Sequence, residues 1–455
     1  MELLTNKRVA AIHVFLRRHW QKLLRIREKI RFSEEAFHLM LAGCVGVLGG
    51  VANLFFYYAT ESVKFLFLRR PGDIVEVAEM MGKADRLIIP TLGGLCAGLI
   101  LFWGLGLVGK QGSSNLLEVV VAGDGRLPFR TGLVKFLSAL VTMGTGGSIG
   151  REGAIVQISA TLASKWGQIA KWPPYRLRLL VGCGVASGIA AAYNAPISGA
   201  VFASWIVLGN FSMSLFAPLV FSSVVATMLS RTFFGIRPWY EVPSFDFTSV
   251  AQLPWFLLLG IACGAMGAAF LKMLQTSEEL FRKLSVPIYI RLALGGLIVG
   301  TIAISFPEVW GNGYSVTDRI LRDPALIVPE NFSGDNLVLL FMVGLLLAKL
   351  LATLATVGSG AVGGVFTPTL FLGACLGASF GLALKWLGGA EHLPLAVFTV
   401  VGMGSMLSAT TRSPLLAMIM IFEISLDYSL MPPLMLACVV STLVSSRLHS
   451  ESVYT

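Results

Sequence analysis

Long stretches of apolar residues, separated by short charged segments, dominate the hydrophobic pattern of this chain. An α-helix needs roughly 20 consecutive apolar residues to span a bilayer, and several of the stretches approach that length. Because a lipid-exposed segment must satisfy its own backbone hydrogen bonds, such stretches favour helices over open strands. The pattern therefore predicts an all-α integral membrane protein that crosses the bilayer many times. The long apolar stretches are 39–58, 87–108, 253–271, 292–305 and 337–357.

A second set of apolar runs is too short to span a bilayer. Each has roughly half to two-thirds of a spanning length and starts just after a break that contains glycine or proline. Non-helical backbone at membrane depth is tolerated only where it is buried in protein or lines water. The breaks therefore predict tilted helices of unequal length, some of which begin inside the membrane and converge on one point. The short runs are 154–164, 197–208, 365–376 and 415–424.

Three pairs of segments recur in the same order in the two halves of the chain. The pairs share glycine spacing, the placement of a lysine before a glycine-containing break, and a Gly-x-Gly pair that leads to a proline. Such recurrence indicates an internal duplication. The matching segments are 92–98 with 294–300, 135–150 with 349–364, and 182–196 with 402–414.

The duplication predicts a first membrane repeat over 35–235, a linker over 236–252 and a second repeat over 253–448. Membrane transporters often carry repeats that are inverted across the bilayer, with the substrate site where the halves meet. We therefore expect two inverted-topology repeats of tilted, partly broken helices, although the sequence alone also allows a parallel repeat. Residues 449–455 are predicted to form a short tail with no cytosolic regulatory domain.

Composition and charge support a membrane environment. The chain has 455 residues, of which 55% are hydrophobic and 13% charged, and its mean hydropathy is +0.77. A soluble protein of this size cannot hide so much apolar surface. The net charge is +10, and basic residues alternate with apolar ones over 1–34. This segment is predicted to be an amphipathic helix on the cytoplasmic membrane surface, so the charge indicates topology and anionic lipid rather than nucleic acid.

The cysteines and histidines give no pattern of metal ligands. The six cysteines stand singly in apolar sequence and are typical of small packing residues. The five histidines lie near the chain ends or in a loop, where they cannot serve as an intramembrane base. A serine hydrolase that used Ser113 or Ser114 would lack a histidine base, and only Lys110 stands nearby to replace it. We therefore predict no enzyme, no cofactor and no metal.

Two breaks carry the most informative chemistry. Residues 150–154 read Gly-Arg-Glu-Gly-Ala, and residues 363–368 read Gly-Gly-Val-Phe-Thr-Pro; each precedes an apolar helix. A helix N-terminus binds anions through free N–H groups and carries about half a positive charge. Glu152 stands at such a start, where a carboxylate at membrane depth is costly unless it has a function. We interpret Glu152 as a tethered competitor, which blocks an anion site when bound and opens it when protonated or displaced.

These motifs resemble those of the CLC family of chloride channels and proton-coupled chloride exchangers, over about 35–448. The family implies a homodimer with one anion path in each subunit, placed for short bacterial members in the inner membrane with a cytoplasmic N-terminus. The substrate would be chloride or another small inorganic anion, with protons as a further partner. The resemblance rests on Gly150-Arg-Glu-Gly153, Gly364-Val-Phe-Thr-Pro368, Asn194-Ala-Pro196, Tyr428 in the run that begins at Glu423, and the spacing of Lys135.

Residue roles follow from the same resemblance. Glu152 would be the external gate. The backbone amides of Val365 and Phe366 and the hydroxyl of Tyr428 would hold a central anion. Lys135 would lie near the path and raise its electrostatic potential. The remaining residues assigned to anion binding are Gln111, Gly112, Arg151, Gly153 and Ala154, with the Arg151 guanidinium favoured as a structural partner over an anion ligand.

The chain departs from the family pattern in two places. Gln111 stands where a serine hydroxyl normally touches the central anion, and a glutamine is larger and also offers an acceptor oxygen. Ile206 stands where exchangers commonly carry an inner glutamate that relays protons. We therefore predict passive or weakly proton-coupled chloride transport, with a proton-coupled chloride or fluoride exchanger as the alternative. The carboxylates that could substitute for the lost glutamate are Glu118, Glu423 and Asp427.

Overall fold

A computed structural model describes residues 34–109, 118–119, 123–236, 240, 242, 252–328, 334–388 and 393–454. Within these ranges the chain is helical apart from turns, loops and one isolated backbone bridge. Nine of the described helices are long and apolar enough to cross a bilayer. The predicted all-α, multi-pass architecture is therefore confirmed. The predicted N-terminal amphipathic helix and most of the 236–252 linker lie outside the described residues.

The helices of the first half differ widely in length, as the breaks predicted. The last of its short helices continues as a single π-helical turn, Ala203–Val207. In chain order the helices are α1 (Glu34–Leu68), α2 (Ile74–Glu79), α3 (Lys83–Val108), α4 (Phe129–Gly144), α5 (Glu152–Ile169), α6 (Pro174–Tyr193), α7 (Pro196–Phe202) and α8 (Met213–Phe234).

The second half repeats this alternation of long and short helices. Two short 3₁₀ turns, Pro307–Val309 and Pro324–Ile327, flank its shortest α-helix. In chain order the helices are α9 (Leu253–Lys283), α10 (Ile288–Ser305), α11 (Tyr314–Arg322), α12 (Asp335–Gly358), α13 (Phe366–Trp386), α14 (Leu395–Thr411), α15 (Pro414–Ser425) and α16 (Met431–Leu448).

Helices α3 and α10, which carry the matching glycine segments, pack closely against each other. A Cβ at Gly94 would lie 2.2 Å from the carbonyl oxygen of Leu292, and one at Gly296 would lie 2.0 Å from that of Pro90. The internal repeat relates these two contacts to each other, because residue 94 matches residue 296 and residue 90 matches residue 292. Only glycine allows the backbones to approach so closely, as small residues do in membrane helix pairs.

The contacts along this pair also fix the direction of the two helices. Gly94 faces Leu292, whereas Gly98, one turn further along, faces Tyr289, so the helices run antiparallel. The two-fold axis that relates equivalent antiparallel helices is perpendicular to them and therefore lies close to the membrane plane. Such an axis generates inverted repeats, whereas a parallel repeat has its axis along the membrane normal. The inverted-topology prediction is confirmed.

The expected lengths of the broken helices were only partly correct. The apolar run 365–376 was expected to be too short to span, but it opens the 21-residue α13, which qualifies as a membrane span. The apolar pattern weakens after residue 376 because glycine and serine follow, and these residues do not end a helix whose spanning window is 83% buried. The helices α7 and α15 are short, at 7 and 12 residues.

Two similar corners precede the short helices α7 and α15. Helix α6 ends because Asn194 adopts a left-handed φ of +58°, and Pro196 then opens α7. In the second half Arg412, at φ +54°, ends α14, and Pro414 opens α15. A left-handed residue commonly closes a helix, and proline is tolerated in a first turn. The corners therefore follow from the Gly-x-Gly to Pro segments that the sequence repeats.

Candidate functional site

The two glycine-containing breaks meet in the structure. The Gly150 amide donates to the Gly364 carbonyl at 2.7 Å, and the Gly364 amide donates to the Gly150 carbonyl at 2.9 Å. Helix α5 starts two residues after Gly150, and α13 starts two residues after Gly364. The first N–H groups of a helix have no acceptor within that helix. Two positively polarised helix ends therefore lie together, which suits a negative charge.

Glu152 places a carboxyl group at this junction. Its side chain is buried, with 3% of the residue exposed. Its Oε1 accepts a hydrogen bond from the Tyr193 hydroxyl at 2.5 Å and a second one from the Thr367 hydroxyl. The two hydroxyls also contact each other at 2.8 Å. Its other oxygen, Oε2, has no hydrogen-bond partner among the described residues.

The side chains of the neighbouring residues Arg151 and Glu152 make contacts with different parts of the protein. The Arg151 guanidinium donates to the carbonyl of Ala192 at 2.7 Å, next to the end of α6. Arg151 also lines an open cavity of about 730 Å³, which we call the vestibule. The vestibule is bordered by both signs of charge. Its charged lining residues are Glu61, Lys64, Asp73, Arg151, Arg231, Asp318 and Arg322.

The other residues predicted around the breaks lie beside Glu152. Val365 is the residue that precedes α13, and Phe366 is the first residue of that helix. The Phe366 side chain is buried, and its ring centre lies 5.2 Å from that of Tyr193. Ala154 is buried in the first turn of α5, and the space beside Gly153 is filled by the backbone of Gly363. The breaks of the two repeats therefore form one compact site around Glu152.

Tyr428 does not lie in this compact site. It stands in the loop between α15 and α16 with 77% of the residue exposed, and its ring contacts Phe422. The hydroxyl of an exposed loop residue cannot hold an anion among buried helix ends, so the sequence-based assignment of Tyr428 does not fit the structure. The assignment relied on a local match around the acidic residues of this loop, which gave no information on burial.

Tyr454, in the segment that follows α16, is a tyrosine that lies near Glu152, whereas Tyr428 does not. Its phenol interacts electrostatically with the Glu152 carboxylate, and its ring centre lies 5.3 Å from that of Phe202 in α7. The sequence gave no signal for Tyr454, because it follows the last apolar run and lies outside the recognised motifs. Its role depends on the path of residues 449–454 after α16.

Arg412 holds this C-terminal segment against the membrane domain. Its guanidinium donates to the backbone carbonyls of His449, Ser450 and Glu451, the last at 2.7 Å. The amide of Val453 then donates to the carbonyl of Thr410 at 3.1 Å. These bonds return the segment to α14, so residues 449–454 pack against the membrane domain.

Ile206, which stands where exchangers commonly carry an inner glutamate, lies among the described residues. Ile206 is partly buried in the π-helical turn that follows α7, beside the exposed Trp205.

Three carboxylates were considered as substitutes for the missing glutamate. Glu423 accepts hydrogen bonds from the backbone amides of Ile197 and Ser198 at 2.8 and 2.7 Å and so caps α7. Asp427 accepts bonds from Ser429 within its own loop. Glu118 is exposed.

The two equivalent lysines occupy different environments. Lys349 is fully buried on α12, where its Nζ donates to the carbonyls of Val309 and Gly311, each at 2.9 Å. Lys135 is partly buried on α4. Lys349 therefore fixes the loop before α11.

The equivalent loop of the first repeat contains Gln111 and Gly112. Both residues lie outside the described ranges, as do Lys110, Ser113 and Ser114.

Comparisons with known proteins agree on one family. A family model described as voltage gated chloride channel matches residues 94–446. A ClcB-like protein of Ralstonia nicotianae is 41% identical over 421 residues, which cover 91% of this chain and 95% of the relative. The voltage-gated ClC-type chloride channel ClcB of Citrobacter koseri is 35% identical over 422 residues, which cover 91% and 97%.

Solved structures share the fold at lower sequence identity. A slow cyanobacterial Cl⁻/H⁺ antiporter has a TM-score of 0.78 at 22% identity, covering 93% of this chain and 97% of its own. A CLC-type fluoride/proton antiporter has a TM-score of 0.72 at 21% identity, covering 92% and 98%. These likenesses extend to the whole membrane domain and show the same helical architecture.

Proposed function

Because this chain belongs to the voltage-gated chloride channel (CLC) family, we propose that it carries chloride across a membrane with Glu152 as the gate. The anion would pass between the N-terminal ends of α5 and α13, where backbone N–H groups can bind it without a permanent charge. A site of this kind releases its ion readily, as conduction requires. The amides of Gly153, Ala154, Val365 and Phe366 would contribute to it.

The burial and hydrogen bonding of Glu152 at the meeting point of the two repeats carry this proposal. A carboxylate that lies on two helix N-termini occupies the place that a free anion would take. Its negative charge and the anion's exclude each other there, because like charges in a poorly solvated site repel strongly. Protonation removes the charge and frees the carboxyl to leave, so the anion path opens. Glu152 thus acts as a tethered competitor of the transported ion.

We propose passive or weakly proton-coupled transport over strict exchange. The side chain of Ile206 cannot carry a proton, and the carboxylate of Glu423, which contacts the helix before Ile206, is engaged in capping that helix, α7. Protons would then reach Glu152 from the vestibule through water. Tyr454 would replace Tyr428 as the hydroxyl facing the anion. Lys135 and Arg151 would raise the electrostatic potential along the path.

A proton-coupled chloride or fluoride exchanger is the second candidate. Gln111 favours it, because replacing a hydroxyl with a larger amide changes both the size and the donor set of the central site. Solved proteins of this fold are named as Cl⁻/H⁺ and fluoride/proton antiporters. Gln111→Ser should shift anion preference toward chloride over fluoride and nitrate. An unchanged order of preference would place Gln111 away from the ion.

We further propose a homodimer in the bacterial inner membrane, with the basic N-terminus on the cytoplasmic side as the positive-inside rule requires. Each subunit would contain a complete anion path, since both glycine-containing breaks come from one chain. Transport rather than catalysis is the proposed activity. A serine-directed covalent label that left anion flux intact would support this assignment over a hydrolase that uses Ser113 or Ser114.

Chloride efflux from proteoliposomes, recorded together with external pH, tests the proposal. We expect chloride to leave with little or no uphill proton movement, and efflux to increase as the pH falls. Glu152→Gln should raise efflux at neutral pH and remove its pH dependence. Uphill proton movement driven by chloride would favour the exchanger instead. Glu152→Gln protein that kept the wild-type pH dependence would exclude Glu152 as the gate.

A further inference from the structure

Tyr193 is the last residue of α6 and directs its side chain at the gate. The turn that follows, with Asn194 in the left-handed region, fixes the end of the helix. The Tyr193 ring packs against Phe366 at a centroid distance of 5.2 Å, and the side chain is buried. Because the ring is held on one side by packing, its hydroxyl has a defined position. That position is 2.5 Å from Oε1 of Glu152.

Thr367 brings a second hydroxyl to the same oxygen from the opposite repeat. It is buried in the first turn of α13, and its hydroxyl contacts both Oε1 of Glu152 and the hydroxyl of Tyr193. The three polar groups form a closed triangle built from α5, α6 and α13. The triangle leaves Oε2 of Glu152 without a partner among the described residues.

Among the described residues, few ionisable groups face Glu152 apart from this triangle. Arg151 precedes it on the same segment and interacts with it electrostatically. Two further phenols interact with its charge, Tyr240 from the segment between the repeats and Tyr454 from the C-terminal segment. On α13 the group in contact is Thr367, which does not titrate. Tyr193 and Thr367 are therefore the described side chains that bind the Glu152 carboxylate directly.

We propose that Tyr193 and Thr367 form a hydroxyl latch that holds the Glu152 carboxylate in its closed, ionised position. The proposal deepens the gate function and rests on it. Hydroxyls that donate to a carboxylate stabilise its charged form. These bonds are stronger to an ionised acceptor than to a neutral one, so the latch weakens once Glu152 is protonated. The proton is taken up at Oε2, the oxygen that the latch leaves unoccupied, and the neutral carboxyl then swings away.

The latch predicts how the pH dependence of transport should move. Removing a donor destabilises the ionised carboxylate, so protonation and opening should occur at higher pH. We expect Tyr193→Phe and Thr367→Val each to raise the pH of half-maximal chloride efflux by about one unit. Tyr193→Phe keeps the ring that packs on Phe366, and Thr367→Ser, which keeps the hydroxyl, should restore the wild-type curve.

Two substitutions serve as matched controls. Thr369→Val removes a buried hydroxyl two residues further along α13, which donates to the Val365 carbonyl instead of Glu152. Tyr289→Phe removes a phenol hydroxyl from a ring that packs against Phe102 on α3. Both variants should keep the wild-type pH of half-maximal efflux. A shift of equal size in the controls would mean that general loosening of the fold, and not the latch, moves the curve.

The experiment separates failure of the latch from failure of the gate. Chloride efflux is measured against pH for wild type, Tyr193→Phe, Thr367→Val, Glu152→Gln, and the double variant Tyr193→Phe with Glu152→Gln. If Glu152→Gln abolishes the pH dependence while Tyr193→Phe overlays the wild type, the gate stands and the latch is excluded. If wild-type efflux has no pH dependence, both ideas fail. The latch is supported if Tyr193→Phe shifts the curve only when Glu152 is present.

Discussion

Gly150 leaves no room for a side chain, because a Cβ there would lie 1.9 Å from Oε2 of Glu152. The backbone of Gly150 also pairs with Gly364, so this residue both joins the two repeats and leaves space for the Glu152 carboxylate. A Cβ at Gly364 would lie 2.7 Å from the same oxygen. Glycines of both repeats therefore form the wall against which the unpartnered oxygen of the carboxylate rests.

Gly150→Ala should open the anion path. A real Cβ cannot lie this close to a carboxylate oxygen, so the Glu152 side chain has to leave its closed position. We expect chloride efflux at neutral pH to approach that of Glu152→Ala, with loss of most of the pH dependence. Gly106→Ala is the matched control, because a Cβ at Gly106 meets nothing within 4 Å. Wild-type efflux from a folded Gly150→Ala protein would contradict the closed position of Glu152.

Arg412→Met should weaken anion selectivity from a distance. The substitution removes three hydrogen bonds to the C-terminal segment, and we expect that segment to detach and withdraw Tyr454 from the path. Selectivity among chloride, nitrate and bromide should then change in the same direction as in Tyr454→Ala.

Deleting residues 449–455 should give the same selectivity change, whereas Tyr428→Ala should not. Anion competition in proteoliposome flux measures all four variants together. A selectivity change caused by Tyr428→Ala alone would restore the original assignment of that loop residue. The set therefore decides which tyrosine faces the anion.

The duplication and the position of Glu152 where the two breaks meet were predictable because they depend on local sequence. Glycines at matching positions mark where α3 meets α10 and where the two breaks meet, since only glycine permits backbone contact there. Glu152 was identifiable because a carboxylate at an apolar helix start is costly without a function. Each of these signals lies within a few consecutive residues, so no tertiary information was needed.

Tyr193, Thr367 and Tyr454 could not be found by the same reasoning. Tyr193 reaches Glu152 across 41 positions of sequence and Thr367 across 215, so their proximity exists only in the folded chain. A tyrosine in an apolar helix normally indicates packing or an interfacial anchor. Tyr428 was chosen because its flanking residues matched a pattern, although burial depends on how the loop folds. The length of α13 was underestimated for a related reason, because the glycine and serine that follow residue 376 interrupt the apolar run, whereas packing inside the protein lets the helix continue.

Glu423→Ala should destabilise the fold. The Glu423 carboxylate accepts bonds from the amides of Ile197 and Ser198 and from the Ser198 hydroxyl, the last at 2.6 Å. Losing a helix cap costs about 0.5–2 kcal/mol, and the charge of the carboxylate places this cap at the upper end. We expect the free energy of unfolding in detergent to fall by about 2 kcal/mol. Glu279→Ala, at an exposed position of α9, should change it by less than about 0.5 kcal/mol.

Glu308 gives a prediction that is independent of the anion path. It lies in the 3₁₀ turn after α10, is buried, and has an Oε2 without a partner among the described residues. Burial raises its pKa from 4.5 to about 7; the Glu79 charge acts in the same direction, and a backbone hydrogen bond, Arg319 and Arg86 oppose it. The folded protein therefore binds this proton more tightly than the unfolded chain does.

Stability should consequently fall as the pH rises from 4.5 to about 7, the two pKa values of Glu308 in the unfolded and folded states. The full penalty above pH 7 is on the order of 3 kcal/mol. Glu308→Gln mimics the protonated group, so it should stabilise the protein at about pH 8 and have little effect near the unfolded-state pKa of 4.5. Unfolding in detergent, followed at both pH values with Glu279→Gln as the control, measures the difference. Equal stabilisation at both pH values would show that the substitution acts through packing, and a destabilised variant at the higher pH would mean that the carboxylate is ionised and satisfied in the folded state.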